Sequence, residues 1–163
     1  EFFNSLAAEV KIFPLIPVPG PGKARFQPIA TRDVASCVVR TLQRQDLQNQ
    51  ILEIGGPEHL NHDELVDIVA DTLGTPRLKV HIPLALMRPL MRLIHALAPT
   101  PPATPAMLDM LTIDNITKLS AVTQTFGFTP MSVVGNINYI RRLTIADALK
   151  ISVGFMPHHI RDH

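Results

Sequence analysis

The 163 residues predict an α/β protein, mostly helical with a few short strands. Three observations carry that reading. Between Arg25 and Gly74, short apolar stretches of period two give way twice to stripes of helical period, the order of strand, helix, strand, glycine turn and helix in a crossover unit. Asn61 and Glu64 hold the N-x-x-E spacing of a capping box, and Gly74 stands where a left-handed C-terminal cap is wanted. Pro14, Pro17, Pro19 and Pro21 exclude regular helix from the stretch they punctuate.

Glu1 to Phe13 reads as a helix with Phe3, Leu6, Val10 and Phe13 on one rough face, and Pro14 to Gly22 as a rigid turn leading into a strand around Phe26. Thr31 stands at the cap of the next helix, with Asp33 in the first turn, where the dipole favours an acid, and Val34, Val38 and Leu42 as its stripe. Ile51 to Ile54 reads as a strand closed by Gly55, Gly56 and Pro57. After Asn61, the residues Leu65, Ile68, Val69, Thr72 and Leu73 share one helical face, and Leu60 with Leu65 makes a hydrophobic staple.

Leu78 to Ile82 alternates as a short strand. Pro83 then opens an amphipathic helix that runs to about Leu97 and is kinked at Pro89, with Met87, Leu90, Met91, Ile94 and Leu97 apolar. Ala98 to Pro105 is a proline-rich loop, and Thr104 with Pro105 starts a short helix through Leu111. Asp114 and Asn115 make a turn, and a brief helix from Ser120 to Phe126 stops at Gly127. Ser132 caps a further helix that buries Val133, Ile137 and Ile140, and Thr144 to Leu149 adds one or two more turns before a loose tail from Met156.

Composition narrows the function classes. A net charge of +1 with no long basic run leaves no electrostatic footprint for nucleic acid. Cys37 is the single cysteine, so no internal disulfide forms; it reads as a small buried hydrophobe and suits a reducing compartment. No secretory signal is expected, and no apolar run reaches the ~20 residues of a membrane span. At 46% hydrophobic and 18% charged, against a usual ~25% charged, the chain is apolar for its size. The expected compartment is the cytoplasm, with a membrane-peripheral position as the variant.

Three phrases in order, F-x-P-I-x-x-x-D-V-A from Phe26, I-G-G-P from Ile54 and L-x-x-x-E-L-V-x-x-x-A-x-x-L-G from Leu60, resemble the C-terminal half of extended or atypical short-chain dehydrogenases/reductases. Within them the chain is most similar to the branch of NAD(P)-dependent epimerase/dehydratase-like proteins and the nucleotide-binding accessory subunit of respiratory complex I. The similarity runs from Glu1 to about Arg142, and G-F-x-P at Gly127 to Pro130 matches the family's closing phrase.

The resemblance implies the C-terminal part of a Rossmann-type fold without its N-terminal nucleotide-binding half. Residues 1–142 would form the substrate-binding lobe plus elements that complete the nucleotide-binding sheet, and residues 143–163 a terminal helix and loose tail. Related sequences place G-P-G-D just ahead of an E-F-F-N like the one that opens here, so the chain is expected to begin within a longer gene product. It also implies NAD or NADP in the full-length parent, none for this chain alone, and a nucleotide-sugar or other small-molecule substrate. The expected partners are the missing Rossmann half and, through uncovered apolar surface, further copies of the chain. Membrane contact is not expected. The alternatives are a part of a non-catalytic NADPH-binding scaffold or assembly protein, like the complex I subunit, and a stand-alone interaction module.

The family's chemistry needs residues this chain lacks. None of its eight glycines falls into G-x-x-G-x-x-G or G-x-G-x-x-G, the turn that brings backbone amides to a pyrophosphate. The family's general acid/base is a tyrosine followed four residues later by lysine, whereas the single tyrosine, Tyr139, is followed by Leu143. No catalytic or dinucleotide-binding residue is therefore expected. Gly55 and Gly56 read as a tight turn rather than a phosphate cradle, because Glu58 would repel an anion.

For substrate contact the resemblance points to Arg25, whose counterpart ahead of the F-x-x-I strand contacts a substrate diphosphate in sugar-nucleotide epimerases; Gln27-Pro28 departs from that pattern. His81 and Arg88, with Arg92 and His95 on the same kinked helix, complete the candidates. His158, His159, Asp162 and His163 lie on a short terminal segment with nothing to fix their geometry, so no metal is expected.

Overall fold

The computed structural model describes residues 2–97, 105–155, 157 and 160. The architecture is mixed α/β with helices predominating. In order run α1 (Phe2–Ile12), β1 (Leu15–Pro19), β2 (Arg25–Phe26), α2 (Thr31–Leu42), a 3-10 turn (Gln45–Leu47), β3 (Leu60–Asn61), α3 (His62–Leu73) and β4 (Leu78–Ile82). There follow α4 (Leu84–Leu97), α5 (Pro105–Met110), α6 (Ala121–Phe126), a second 3-10 turn (Asn138–Arg142) and α7 (Ile145–Ser152). β1 and β4 pair in parallel, from Leu15 opposite Leu78 to Pro19 opposite Ile82. β2 and β3 form a short antiparallel ribbon, Arg25 opposite Asn61.

The proline-rich stretch corrects the sequence reading, since Leu15–Pro19 is a strand and not a turn. Alternate residues of a strand direct their amides to the same side. The Gly20 amide donates to the Ile82 carbonyl at 2.8 Å, so Ile16 and Val18 share its orientation toward β4. Pro17 and Pro19 therefore lack only outward amides, which is why an edge strand tolerates them.

α3 is the axis of the main core. Its capping box is complete: the Glu64 amide donates to Asn61 Oδ1 at 3.0 Å and the Asn61 amide to Glu64 Oε2 at 2.7 Å. Gly74 ends it with φ 66°. Leu65, Val66, Val69 and Ala70 pack among Leu6, Ala7 and Val10 of α1, Ile140 of the second 3-10 turn and Ala148 and Ile151 of α7, with Leu60 on the same cluster. Thr144 and Asp147 form a second capping box that starts α7. Leu143, Ala148, Ile151 and Ile160 join this core, so α7 and Ile160 are built onto α1 and α3. Within the predicted loop and tail, residues 98–104, 156, 158, 159 and 161–163 lie outside the described residues, as do Glu1 and the side chains of Ile94, His95 and Leu97.

Five local expectations are corrected. Ala30, not Thr31, is the N-cap of α2, without a side-chain bond. Cys37 is buried as expected, but Val38 is 54% and Leu42 83% exposed. α2 is rolled toward α6 because Arg40 Nη1 donates to the Phe126 carbonyl at 2.6 Å and Arg44 Nη1 to that of Thr125, which seats Cys37 on Val122 and Phe126. Ile51 to Ile54 is not a strand: among the described residues its backbone makes no backbone hydrogen bond, and Ile51 is 99% exposed. Leu52 alone turns inward, onto the cluster of Cys37, Leu47, Val122 and Phe126.

The helix expected after Ser132 is a turn followed by 3-10 geometry, although Val133, Ile137 and Ile140 are buried as its stripe requires. Gly135 is left-handed at φ 82°. The side-chain amides of Asn136 and Asn138 donate to the Ser132 and Gly135 carbonyls, bonds that compete with helix. Pro83 is itself the N-cap of α4, its carbonyl accepting from the Met87 amide at 3.0 Å.

Candidate functional site

The carboxyl ends of parallel strands are where α/β folds gather ligand-contacting groups, and His81 stands near that end of β4, paired with Val18 of β1. Lys79 and His81 are two apart on the strand and face α3, where Asp67 and Asp63 are four apart. The two spacings match, about 6.6 Å along a strand and about 6 Å along a helix. Lys79 Nζ reaches both oxygens of Asp67 at 2.7 and 2.6 Å, and His81 Nε2 lies 3.0 Å from Asp63 Oδ2. Gly22, at φ 65°, closes over this pair, since a Cβ there would stand 3.0 Å from Asp63 Oδ2 and 3.1 Å from His81 Nε2.

His62, next along α3, is 7% exposed. Burial lowers its pKa first; the Asp63 charge acts against that and the His81 charge adds to it. Among the described residues, His62 Nδ1 and Asp63 Oδ1 have no hydrogen-bond partner.

Arg25 lies across the ribbon from Asn61, so the N-terminus of α3 stands between it and His81 in the chain of contacts. Its guanidinium is held by Asp114: Nε at 3.0 Å and Nη2 at 2.7 Å from Oδ2, with the Arg25 amide 2.8 Å from Oδ1. These bonds, the side-chain ones foremost, hold the Asp114 carboxyl below its usual range. The Arg88 Nη2 donates to Asp109 Oδ1 at 3.0 Å, joining α4 to α5. No contact among the described residues links Arg88 to Arg25 or His81. The three candidates are thus each partnered by an aspartate that the sequence reading did not name as a partner. Asp63 and Asp67 had a usable signal, since D-x-x-x-D on a helix complements K-x-H on a strand; Asp109 and Asp114 had none.

Gln27 is the other residue whose role emerges only in three dimensions. Its Nε2 donates to the Gly56 carbonyl at 2.7 Å, and its Oε1 accepts from the Thr117 amide at 2.7 Å. The residue at the departure from the family pattern therefore ties the glycine turn to the segment after Asp114. Gly56 is required by close approach, because a Cβ there would lie 1.8 Å from the Pro28 carbonyl oxygen. Glu58 accepts from the Ser132 hydroxyl and, at 3.1 Å, from the Val133 amide. The turn is occupied by the protein's own groups.

Tyr139 is half-buried, and burial raises its pKa, the opposite of what proton transfer near neutral pH requires. Among the described residues no group of three or more His, Cys, Asp or Glu side chains is placed to hold a metal, and no helix is long and apolar enough to cross a membrane.

No protein-family model matches the chain, and no curated protein does. Among solved structures, a crystal structure of gox2253 is similar at a TM-score of 0.54 and 17% sequence identity, over 94% of this chain and 44% of that one. The chain spans less than half the length of that neighbour, and the likeness is one of fold: a mixed α/β arrangement that this chain shares with a part of gox2253.

Proposed function

We propose that these residues are the substrate-binding, C-terminal portion of an NAD(P)-dependent epimerase/dehydratase or oxidoreductase of the short-chain dehydrogenase/reductase type, inactive by themselves. The observation that carries the reading is the unpaired stretch Ile51 to Ile54, which makes no backbone hydrogen bond among the described residues. Beside it the helix α2 leaves Val38, Val39 and Leu42 exposed. A strand with open amides and carbonyls is a template for a further strand, and a helix with an uncovered stripe needs a second layer. A nucleotide-binding half outside these residues would supply both. The family resemblance supports the same reading.

In this reading Arg25 and His81 contact the substrate, on either side of the α3 N-terminus. Arg25 exchanges Asp114 for substrate oxygens, while Asp63 orients the His81 imidazole.

Dinucleotide titration tests it. Purified residues 1–163 should give no saturable change in NADH or NADPH fluorescence, whereas the same residues joined to the polypeptide encoded upstream should. Stoichiometric uptake by residues 1–163 alone would overturn the proposal.

The exposed face of α2 also leads us to expect self-association in the absence of that half, since apolar patches above a few hundred Å² are seldom left open on monomers. Light scattering should show a mass that rises with concentration, and Val38→Lys with Leu42→Lys should return it toward the monomer. A concentration-independent monomer in the parent sequence would refute this.

A further inference from the structure

A cleft of about 350 Å³ lies on the main core, lined by Lys11, Thr72, Leu73, Gly74 and Arg141. Two of its five lining residues are cations and none is an acid. Arg25, Arg44, Lys79 and Arg88 are each neutralised by an aspartate. Lys11 and Arg141 make no ion pair among the described residues, and neither does Arg77, which donates to the carbonyl of Val10, the neighbour of Lys11, at 2.6 Å. Lys11 Nζ donates to the Leu143 carbonyl and Arg141 Nε to that of Thr72, the latter at 2.7 Å. Each cation is thereby fixed by one bond to a rigid element. The two Nη groups of Arg141 and two ammonium protons of Lys11 make no hydrogen bond among the described residues.

The cleft sits at the C-terminal end of α3, where exposed carbonyls would ordinarily repel an anion. Three of the last four are engaged: the Gly74 and Thr75 amides donate to Asp71 and Ala70, and Arg141 takes Thr72, which leaves only the Leu73 carbonyl without a partner among the described residues. The Thr72 hydroxyl gives its proton to the Ile68 carbonyl at 2.7 Å and so offers an anion in the cleft no donor. Asp71, the nearest acid in α3, is not among the lining residues. Two fixed cations with outward donors, one of them a planar fork, match the oxygens and charge of a phosphate dianion.

We infer that the Lys11–Arg141 cleft binds a phosphate group, carried by a small molecule or by a lipid headgroup. It is a site separate from Arg25 and His81, and independent of whether the chain belongs to a dehydrogenase.

The test is calorimetric titration with inorganic phosphate and with pyrophosphate at constant ionic strength, beside co-sedimentation with vesicles of equal parts phosphatidylcholine and phosphatidic acid. One-site saturable binding in either arm is expected, and the arm that saturates identifies the carrier. Lys11→Met and Arg141→Gln should each weaken it about tenfold, the loss of one charge-assisted bond. Arg141→Lys should fall between, and Arg32→Ala on exposed α2 should change nothing. Circular dichroism melts of each variant separate lost binding from lost folding. Absence of saturation in both arms, or binding that survives the double variant in a folded chain, would overturn the inference.

Discussion

Glu9→Gln should stabilise the folded chain above pH 7 by as much as about 3 kcal/mol. Glu9 lies on α1, inside the helix that packs most heavily on α7, and burial raises its pKa from 4.5 to about 7. Each unit of such a shift is worth about 1.4 kcal/mol. Between pH 4.5 and 7 the folded chain holds a proton that the unfolded chain has released, so stability falls as pH rises through that window. His62 works in the opposite direction: its pKa is lowered by burial, and its contribution is lost as pH falls below 6.5. Urea unfolding across this range should show parent and Glu9→Gln converging near pH 4.5 and separating toward pH 7, with the gap levelling off above it. Parallel curves, with no widening gap, would mean that Glu9 titrates normally.

Gly56→Ala should be the most damaging single methyl addition in the chain, at about 3 kcal/mol, the upper end for overpacked sites. The obstacle is a backbone oxygen, that of Pro28 at 1.8 Å from the added carbon, and a backbone atom cannot rotate aside. Relief must come from separating the glycine turn from the β2 exit, which would also stretch the Gln27 bond to the Gly56 carbonyl. Gly74→Ala makes the control. It is left-handed at φ 66° but has nothing within 4 Å of the added carbon, so it should cost only the conformational term, about 1 kcal/mol. Denaturation midpoints should fall in the order parent, Gly74→Ala, Gly56→Ala. Equal midpoints for the two variants would show that the turn yields without resistance.

What could be read from the sequence was local. The Asn61–Glu64 box, the Gly74 and Gly127 stops and the alternation of the Leu78–Ile82 strand depend on residues within a few positions of one another, and each is present. What could not be read was set by distant partners. The stripe of α2 was misplaced by less than one helical turn because Arg40 and Arg44 bond to carbonyls more than 80 residues away. Ile51 to Ile54 has the composition of a strand and no neighbour to pair with among the described residues. The candidate site divides in the same way: Arg25 and His81 were legible as candidates, and the approach of Asp63 to His81 had a spacing behind it, whereas that of Asp114 to Arg25 had none. Arg88 was chosen on the same grounds and is held elsewhere, by Asp109.

The alternating prolines of β1 give the small parallel sheet a polarity at its margins. On the outer flank of β1 the donors at positions 17 and 19 are absent, so a newcomer strand would find acceptors there without matching amides. The flank of β4 carries no such block. Any enlargement of this sheet, whether by a legitimate neighbour or by a stray chain during aggregation, is steered to one side, and lysine scanning of the β4 rim rather than of β1 is where resistance to unwanted ribbon growth would be won.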